Sequence, residues 1–268
     1  MKIGTREFDV KNQFYMVGIL NITPDSFSDG GQCQDLDQAL KHAERLIKDG
    51  ADMLDIGGES TRPEHKRISE IEEIERICPI IEMIKENFEI PISLDTYKNK
   101  VAKAGIEAGA DFINDIWGLK WDKDMAGVIR DADIPCCLMH NKRHTLYDNI
   151  IKDIKKDLEK SIEIAKKAGI AQEKIILDPG IGFAKDFKTN LKVMKRLGEL
   201  QSLGYPLMLG TSRKSMIGTA LNLPVNEREE GTLATSVIGF MAGFRFFRGH
   251  DVKANLRGIQ MAKAILEA

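Results

Sequence analysis

Short apolar runs alternate along this chain with longer amphipathic, charged runs. Eight of the short runs read as strands: YMVGIL (15–20), DMLDI (52–56), PISLD (91–95), DFIND (111–115), IPCCLM (134–139), KIILD (174–178), PLMLG (206–210) and FRFFR (244–248). They are short and apolar, as strands covered on both faces should be. Between them, 36–48, 68–86, 99–108, 146–168, 191–203, 232–242 and 252–266 space their apolar residues by three and four, which predicts helices. A shorter helical segment, 123–131, follows the fourth strand. Strand-then-helix units without a shared sequence period predict one α/β domain over 1–268, a (β/α)8 TIM barrel and not a solenoid. The rival is an open doubly wound sheet, which gathers its site at one switch point. Here nearly every strand ends in a polar or glycine-rich cluster, which suits the converging loops of a closed barrel.

A chain of 268 residues buries a core large enough to need no disulfide or metal staple. Its formal net charge of -2 leaves no basic surplus for a nucleic-acid backbone. An anionic substrate would be caught by a few local cations. Cys33, Cys78, Cys136 and Cys137 show neither C-x-x-C nor zinc-like spacing and read as reduced thiols of a cytoplasmic protein. The histidines form no H-E-x-x-H pattern. The N-terminal MKIGTREFDV lacks the apolar core of a signal peptide, and no apolar run reaches membrane length, so no membrane partner is expected.

The candidate chemistry lies after the strands. The first leads into GILNITPDSFSDGG (18–31), a length and composition typical of a lid or binding loop. Asn21 offers a neutral oxygen to a hard cation or to the water around a phosphate. Phe27 sits beside two aspartates with no structural reason to be exposed, although a decorated turn is the plain alternative. The second strand leads into DIGGESTRP (55–63). Its glycines let backbone approach a ligand, Thr61 offers a hydroxyl, Arg62 a planar cation, and Pro63 stiffens the exit.

The third, fourth and sixth strands end in SLDT (93–96), INDIWG (113–118) and LDPGIGF (177–183). Asp95, Asp178 and one of Asn114 and Asp115 should project from those ends, because alternation sends neighbours to opposite faces. A carboxylate suits a fused heterocycle that presents an amino group and a ring N–H side by side. A strand-end Asp can instead cap a helix, most readily at Asp95. Two carboxylates and an amide could equally bind Mg²⁺ directly or act as an acid–base pair, and spacing does not decide. The seventh strand leads into GTSRKSMIG (210–218), where Arg213 stands in place of the glycine a nucleotide P-loop needs before its lysine. Lys214, flanked by Ser212 and Ser215, should sit at the barrel mouth. Two cations at a helix N-terminus oppose the macrodipole and need another reason to be there. The eighth strand ends in RGHDV (248–252), where Arg248 and His250 share a side if the strand continues, and together can grip a diphosphate.

Taken in order, NITPDSFSDGG, DIGGESTRP, SLDT, NDI-x-G, LMH, DPGIGFAK, SRKS and R-x-HDV resemble the dihydropteroate synthase family over almost the whole chain. No single piece is decisive; the ordered set is highly specific. The resemblance implies a Mg²⁺-dependent, homodimeric transferase of folate biosynthesis, the class that sulfonamides target. It would join p-aminobenzoate to 6-hydroxymethyl-7,8-dihydropterin diphosphate. It further implies that Asp95, Asn114, Asp178 and Lys214 bond the pterin edges while Met139 and Phe183 line its pocket. The choice of Asn114 over Asp115 rests partly on this resemblance. Asn21, Arg248 and His250, helped by Thr61 and Arg62, would meet the diphosphate, with Asn21 also a ligand of Mg²⁺. Phe27, Pro63 and Lys214 would hold p-aminobenzoate, its carboxylate near Ser215.

Loss of diphosphate needs its growing charge stabilised, a task for Mg²⁺, Arg248 and His250. Asp29 would stabilise the methylene cation left on the pterin, and the arylamine needs no strong base, in keeping with the lack of a triad. Asp29, Lys214, Arg248 and His250 are therefore the expected catalytic set. A methyltetrahydrofolate–corrinoid methyltransferase could share Asp95, Asn114 and Asp178, but it needs neither the 18–31 loop nor SRKS nor RGHDV. A non-catalytic pterin-binding homologue is the other alternative. The expected dimer surface lies around 237–244.

Overall fold

The computed structural model describes residues 1–22, 32–59 and 67–268, with the side chains of 32–35 left out. The chain opens on an antiparallel pair of two-residue strands, β1 (Lys2–Ile3) and β2 (Arg6–Glu7). Eight parallel strands follow: β3 (Tyr15–Asn21), β4 (Met53–Gly57), β5 (Ile92–Asp95), β6 (Phe112–Asp115), β7 (Cys136–Met139), β8 (Ile175–Asp178), β9 (Met208–Leu209) and β10 (Phe246–Gly249). They pair in the order β8-β7-β6-β5-β4-β3-β10-β9. The two ends of that order meet where Leu177 bridges Leu207 and the Leu177 amide donates to the Pro206 carbonyl at 3.0 Å. That junction closes the sheet into the barrel that the polar strand ends predict, and sets aside the open sheet.

Helices α1 (Gln32–Lys48), α2 (Glu70–Asn87), α3 (Asn99–Glu107), α4 (Met125–Ala132), α5 (Ile150–Ala168), α6 (Phe187–Lys195), α7 (Ser215–Leu221), α8 (Glu229–Met241) and α9 (Val252–Leu266) alternate with the strands. Ser69 caps α2 by accepting from the Glu72 amide, and Asn149 caps α5 by accepting from that of Lys152. The helix expected over 191–203 divides. It begins earlier as α6, and Leu197–Leu203 tightens into a 3₁₀ turn.

Alternation along the strands sorts the core into two. Leu20, Leu54, Ile56, Ile92, Leu94, Ile113, Leu138, Leu177, Leu209 and Phe247 join the large outer cluster beneath the helices. Val17, Met53, Phe112, Cys137, Ile176, Met208 and Phe246 face inward and pack with Ile3 and Phe8 from the N-terminal segment. The barrel is thus corked at the N-terminal ends of its strands. One step further along the same inward faces come Asp55, Asn114, Met139, Asp178 and Arg248, with Asp95 following Ser93 on β5. A polar layer therefore lies directly above an apolar floor.

Cys136 and Cys137 fall in the outer and inner clusters respectively, as adjacent strand residues must. Both, with Cys78, are free thiols; the Cys33 side chain lies outside the described residues. Among the described residues no helix is long and apolar enough to cross a membrane.

Phe112 is fully buried in the floor. Phe112→Ala should cost about 3–5 kcal/mol through lost burial and the cavity left behind. It should appear as a lower midpoint in urea unfolding, with a much smaller drop for Phe112→Leu.

Candidate active site

Arg248 stands at the centre of the polar layer. Its Nε donates to Asp55 Oδ2 at 2.5 Å and its Nη2 to Asp95 Oδ2 at 2.8 Å. Ser93 Oγ donates to the other Asp55 oxygen at 2.5 Å and so orients it. β4, β5 and β10 each supply part of this group. Asp95 Oδ1 is buried without a hydrogen-bond partner among the described residues. A buried acceptor left open in a polar layer is suited to a donor from outside the described residues. Burial pushes the Asp95 carboxyl up to about 7, against the pull of Arg248. α3 takes Lys98, without a side-chain cap bond, as its first boundary residue, so Asp95 is not a helix cap.

The register separates Asn114 from Asp115. Asn114 pairs across from Asp95 and shares its strand face with Phe112 of the floor. Asp115 takes the opposite face and accepts from the amides of Trp117 and Leu119 at 2.8 and 2.7 Å. It builds the turn after β6 and leaves the interior to Asn114. Met139 and Phe183 come together with Tyr97, Ile116, Trp117 and Trp121 in an apolar wall beside this layer.

Asp178 ends β8 and starts a tight loop. Its Oδ1 accepts from the Gly180 amide at 2.6 Å. Gly180 has φ of 66°, and a Cβ there would lie 2.1 Å from the His140 carbonyl oxygen, so only glycine fits. Lys214, at the start of α7, donates through Nζ to the Ile181 carbonyl and lies 4.6 Å from the centre of the Phe183 ring. Burial draws the Lys214 ammonium down to about 8, with Asp178 pulling it back up. Burial also raises Asp178, with Lys214 opposing. Gly210 marks where these groups converge: a Cβ there would lie 3.8 Å from Asp178 Oδ2 and 3.9 Å from Arg248 Cδ.

Ser212 ties the ends of β9 and β10 together. Its hydroxyl meets His250 Nδ1 at 2.8 Å and accepts from the His250 amide at 3.1 Å. Arg213 pairs twice with Asp251, at 3.1 and 2.6 Å. The two cations at the start of α7 therefore have separate reasons: Arg213 is structural, and Lys214 faces the site. Ser215 is the exposed first residue of α7, and Asn21 ends β3 half-buried. Phe27, Asp29, Thr61, Arg62 and Pro63 lie outside the described residues.

Asp55 and Lys98 escaped the sequence reading, as did the role of Ser212. Asp55 is fully buried against Arg248, and its signal was a charge inside an apolar strand. Ser212 orients His250. Lys98 binds Glu59 at 2.8 Å and Glu73 at 2.6 Å and also donates to the Ile68 carbonyl, which joins the two described ends of the second loop. Among the described residues no group of three or more His, Cys, Asp or Glu side chains could hold a metal on its own. Asp95 and Asp178 are instead committed to Arg248 and to the Gly180 amide.

A family model described as pterin binding enzyme matches residues 17–250. The dihydropteroate synthase of Clostridium beijerinckii is 57% identical over 267 residues, 99% of each chain. That of Bacillus subtilis is 50% identical over 256 residues, 96% of this chain and 90% of the relative. Among solved structures, the dihydropteroate synthase of Clostridium difficile in the presence of pteroic acid superposes with a TM-score of 0.95 at 48% identity, covering 98% of this chain and 100% of that one. With a strand-end polar layer of the expected composition and relatives matched nearly end to end, the chain belongs to the pterin-binding enzyme family and, within it, to the dihydropteroate synthases.

Proposed function

We propose that this chain condenses 6-hydroxymethyl-7,8-dihydropterin diphosphate with p-aminobenzoate to give 7,8-dihydropteroate and diphosphate, holding the pterin among Asp95, Asn114, Asp178 and Lys214. The observation that carries this assignment is the meeting of Asp95, Asp178, Lys214 and Arg248 in one layer above the corked floor. The open Asp95 oxygen and the Asp178 carboxylate offer acceptors to the amino and ring N–H groups of a pterin. Lys214 offers a cation to the ring oxygen. Met139 and Phe183 supply an apolar wall for its faces.

Asn21, Arg248 and His250 hold the diphosphate, with help from Thr61 and Arg62. Two of the Arg248 nitrogens are engaged by carboxylates, which fixes the guanidinium and leaves Nη1 to the phosphate. The Asn21 side-chain amide makes no hydrogen bond to the described residues and sits at a strand end. One neutral oxygen fits a hard cation that draws its other ligands from phosphate and water. Asn21 would hold Mg²⁺ there, and the ion would supply charge neutralisation to the departing diphosphate. Asp29 stabilises the cationic methylene. Phe27, Pro63 and Lys214 position p-aminobenzoate, with its carboxylate near Ser215, so that catalysis is electrostatic and positional. The grip by Arg248 and by a Ser212-oriented His250 favours the synthase over a methyl-transferring or inert pterin binder.

The second part of the proposal is a homodimer. Ile238 and Met241 on α8 are 48% and 64% exposed, and Met261 and Ile265 on α9 are 60% and 63% exposed. α8 and α9 pack directly, with Leu233 against Gly258. Apolar side chains left bare on adjoining helices suit a second copy. The cytoplasm is the proposed compartment, in keeping with three free thiols.

Diphosphate release in a steady-state assay should require p-aminobenzoate; pterin binding without turnover would sink the synthase assignment. In that assay Asp29→Ala should lower turnover about a hundredfold while pterin affinity changes little. Lys214 carries its charge below about pH 8. Pterin affinity, followed by titration calorimetry across pH, should therefore fall as pH rises through that value. Lys214→Met should lose this limb. Gel filtration at two concentrations should give a dimer, and Met241→Glu with Ile265→Glu should give a monomer. A parent chain that elutes as a monomer at both concentrations refutes the dimer.

A further inference from the structure

Lys185 is buried, 8% exposed, with no carboxylate in ion-pair contact among the described residues. Its Nζ instead donates to two carbonyls of the loop after β8: Gly180 at 2.7 Å and Phe183 at 3.0 Å. That loop has an unusual backbone. Gly180, Gly182 and Ala184 all have positive φ, at 66°, 85° and 48°. Such a path is costly for Ala184 unless its surroundings hold it.

Beyond Asp178 and Lys214, two further side chains hold this loop. Asn190, on α6, accepts from the Gly182 amide at 2.7 Å and donates to the carbonyls of Lys185 and Asp186 at 3.1 and 2.9 Å. Lys185 closes the other half. Between its two acceptors lies Ile181, whose carbonyl receives Lys214 Nζ, and the second acceptor belongs to Phe183, whose ring lies beneath that same ammonium. Gly182 packs against the Lys214 stem, where a Cβ would lie 2.9 Å from Cδ.

We propose that Lys185 is a positioning residue for pterin recognition: clamped on the Gly180 and Phe183 carbonyls, it sets the turn that presents Ile181 and Phe183 to Lys214. This rests on the assignment of Lys214 and Asp178 to the pterin. Burial and the neighbouring Lys214 draw the Lys185 ammonium down to about 7, while Asp178 and Asp157 pull it up and Lys142 opposes them. A lysine kept in so unfavourable a place, for carbonyl contacts alone, is there for geometry. Its bond to the Gly180 carbonyl also braces the loop from the side opposite the Asp178 bond to the Gly180 amide.

The test compares Lys185→Met and Lys185→Gln with the parent, each checked by thermal unfolding to be folded at the assay temperature. Pterin diphosphate binding is read by calorimetry, and the KM for p-aminobenzoate is read at saturating pterin diphosphate. Lys185→Met should weaken pterin binding about tenfold or more, the scale of a lost charged hydrogen bond, and raise the p-aminobenzoate KM clearly less, since of the proposed p-aminobenzoate contacts only Lys214 is disturbed. Lys185→Gln, which keeps a donor, should fall between. Pterin affinity within about twofold of the parent in Lys185→Met overturns the proposal, as does an equal loss for both substrates. Should Lys185→Met not fold, Lys185→Gln alone decides between the same outcomes. Direct pterin binding is measured without turnover, so a parent that binds but releases no diphosphate refutes the synthase assignment and leaves this test standing.

Discussion

A guanidinium buried between two carboxylates is the constraint on which the site depends. Arg248 keeps only 18% of its side chain exposed, so Asp55 and Asp95, within hydrogen-bond reach, replace most of the hydration it loses. Those partners come from β4 and β5, on the far side of β3 from β10 in the strand order. Pairing therefore locks the relative heights of four consecutive strands. Removing one partner of such a group typically costs about 3–5 kcal/mol, because the other charge is stranded. The same pairing leaves one Asp95 oxygen over, so a structural ion pair also presents an open acceptor to the barrel interior.

Floor and mouth divide the work. The floor is aromatic and aliphatic, closed by Phe8 stacking 6.0 Å from Phe246, and contains nothing that titrates usefully. It keeps water from reaching the polar layer from beneath, so the charges above it interact in a low dielectric. The mouth holds Asp95, Asp178, Lys185 and Lys214, charged groups whose protonation burial displaces. This matches the general division of such barrels into a stabilising end and a chemical end.

Much of this was legible before any coordinates. All eight barrel strands fall where the apolar runs lie, because strands buried on both faces announce themselves by composition. α9 spans the predicted 252–266. The hairpin β1–β2 was not legible, since two-residue strands carry no period, and of the seven-residue α7 only the start at Lys214 was legible, not its extent. The strand-end residues Asp95, Asn114, Asp178, Lys214 and Arg248 were legible by position. Asn114 against Asp115 was not, because both are polar and only the inward placement of Phe112 fixes which one shares its face. Asp55 was missed for a different reason: its partner lies 193 residues away, and nothing local records that. Lys185 was similarly hidden, since its value lies in backbone carbonyls and a left-handed path that no residue pattern displays.

The cork made by Ile3 and Phe8 has a consequence for traffic. A barrel stoppered at one end is a cul-de-sac. On the proposed assignment a pterin in the layer above the stopper would have to enter before an arylamine using the same mouth, so the sequence of arrivals would be written into the plumbing before any affinity is considered.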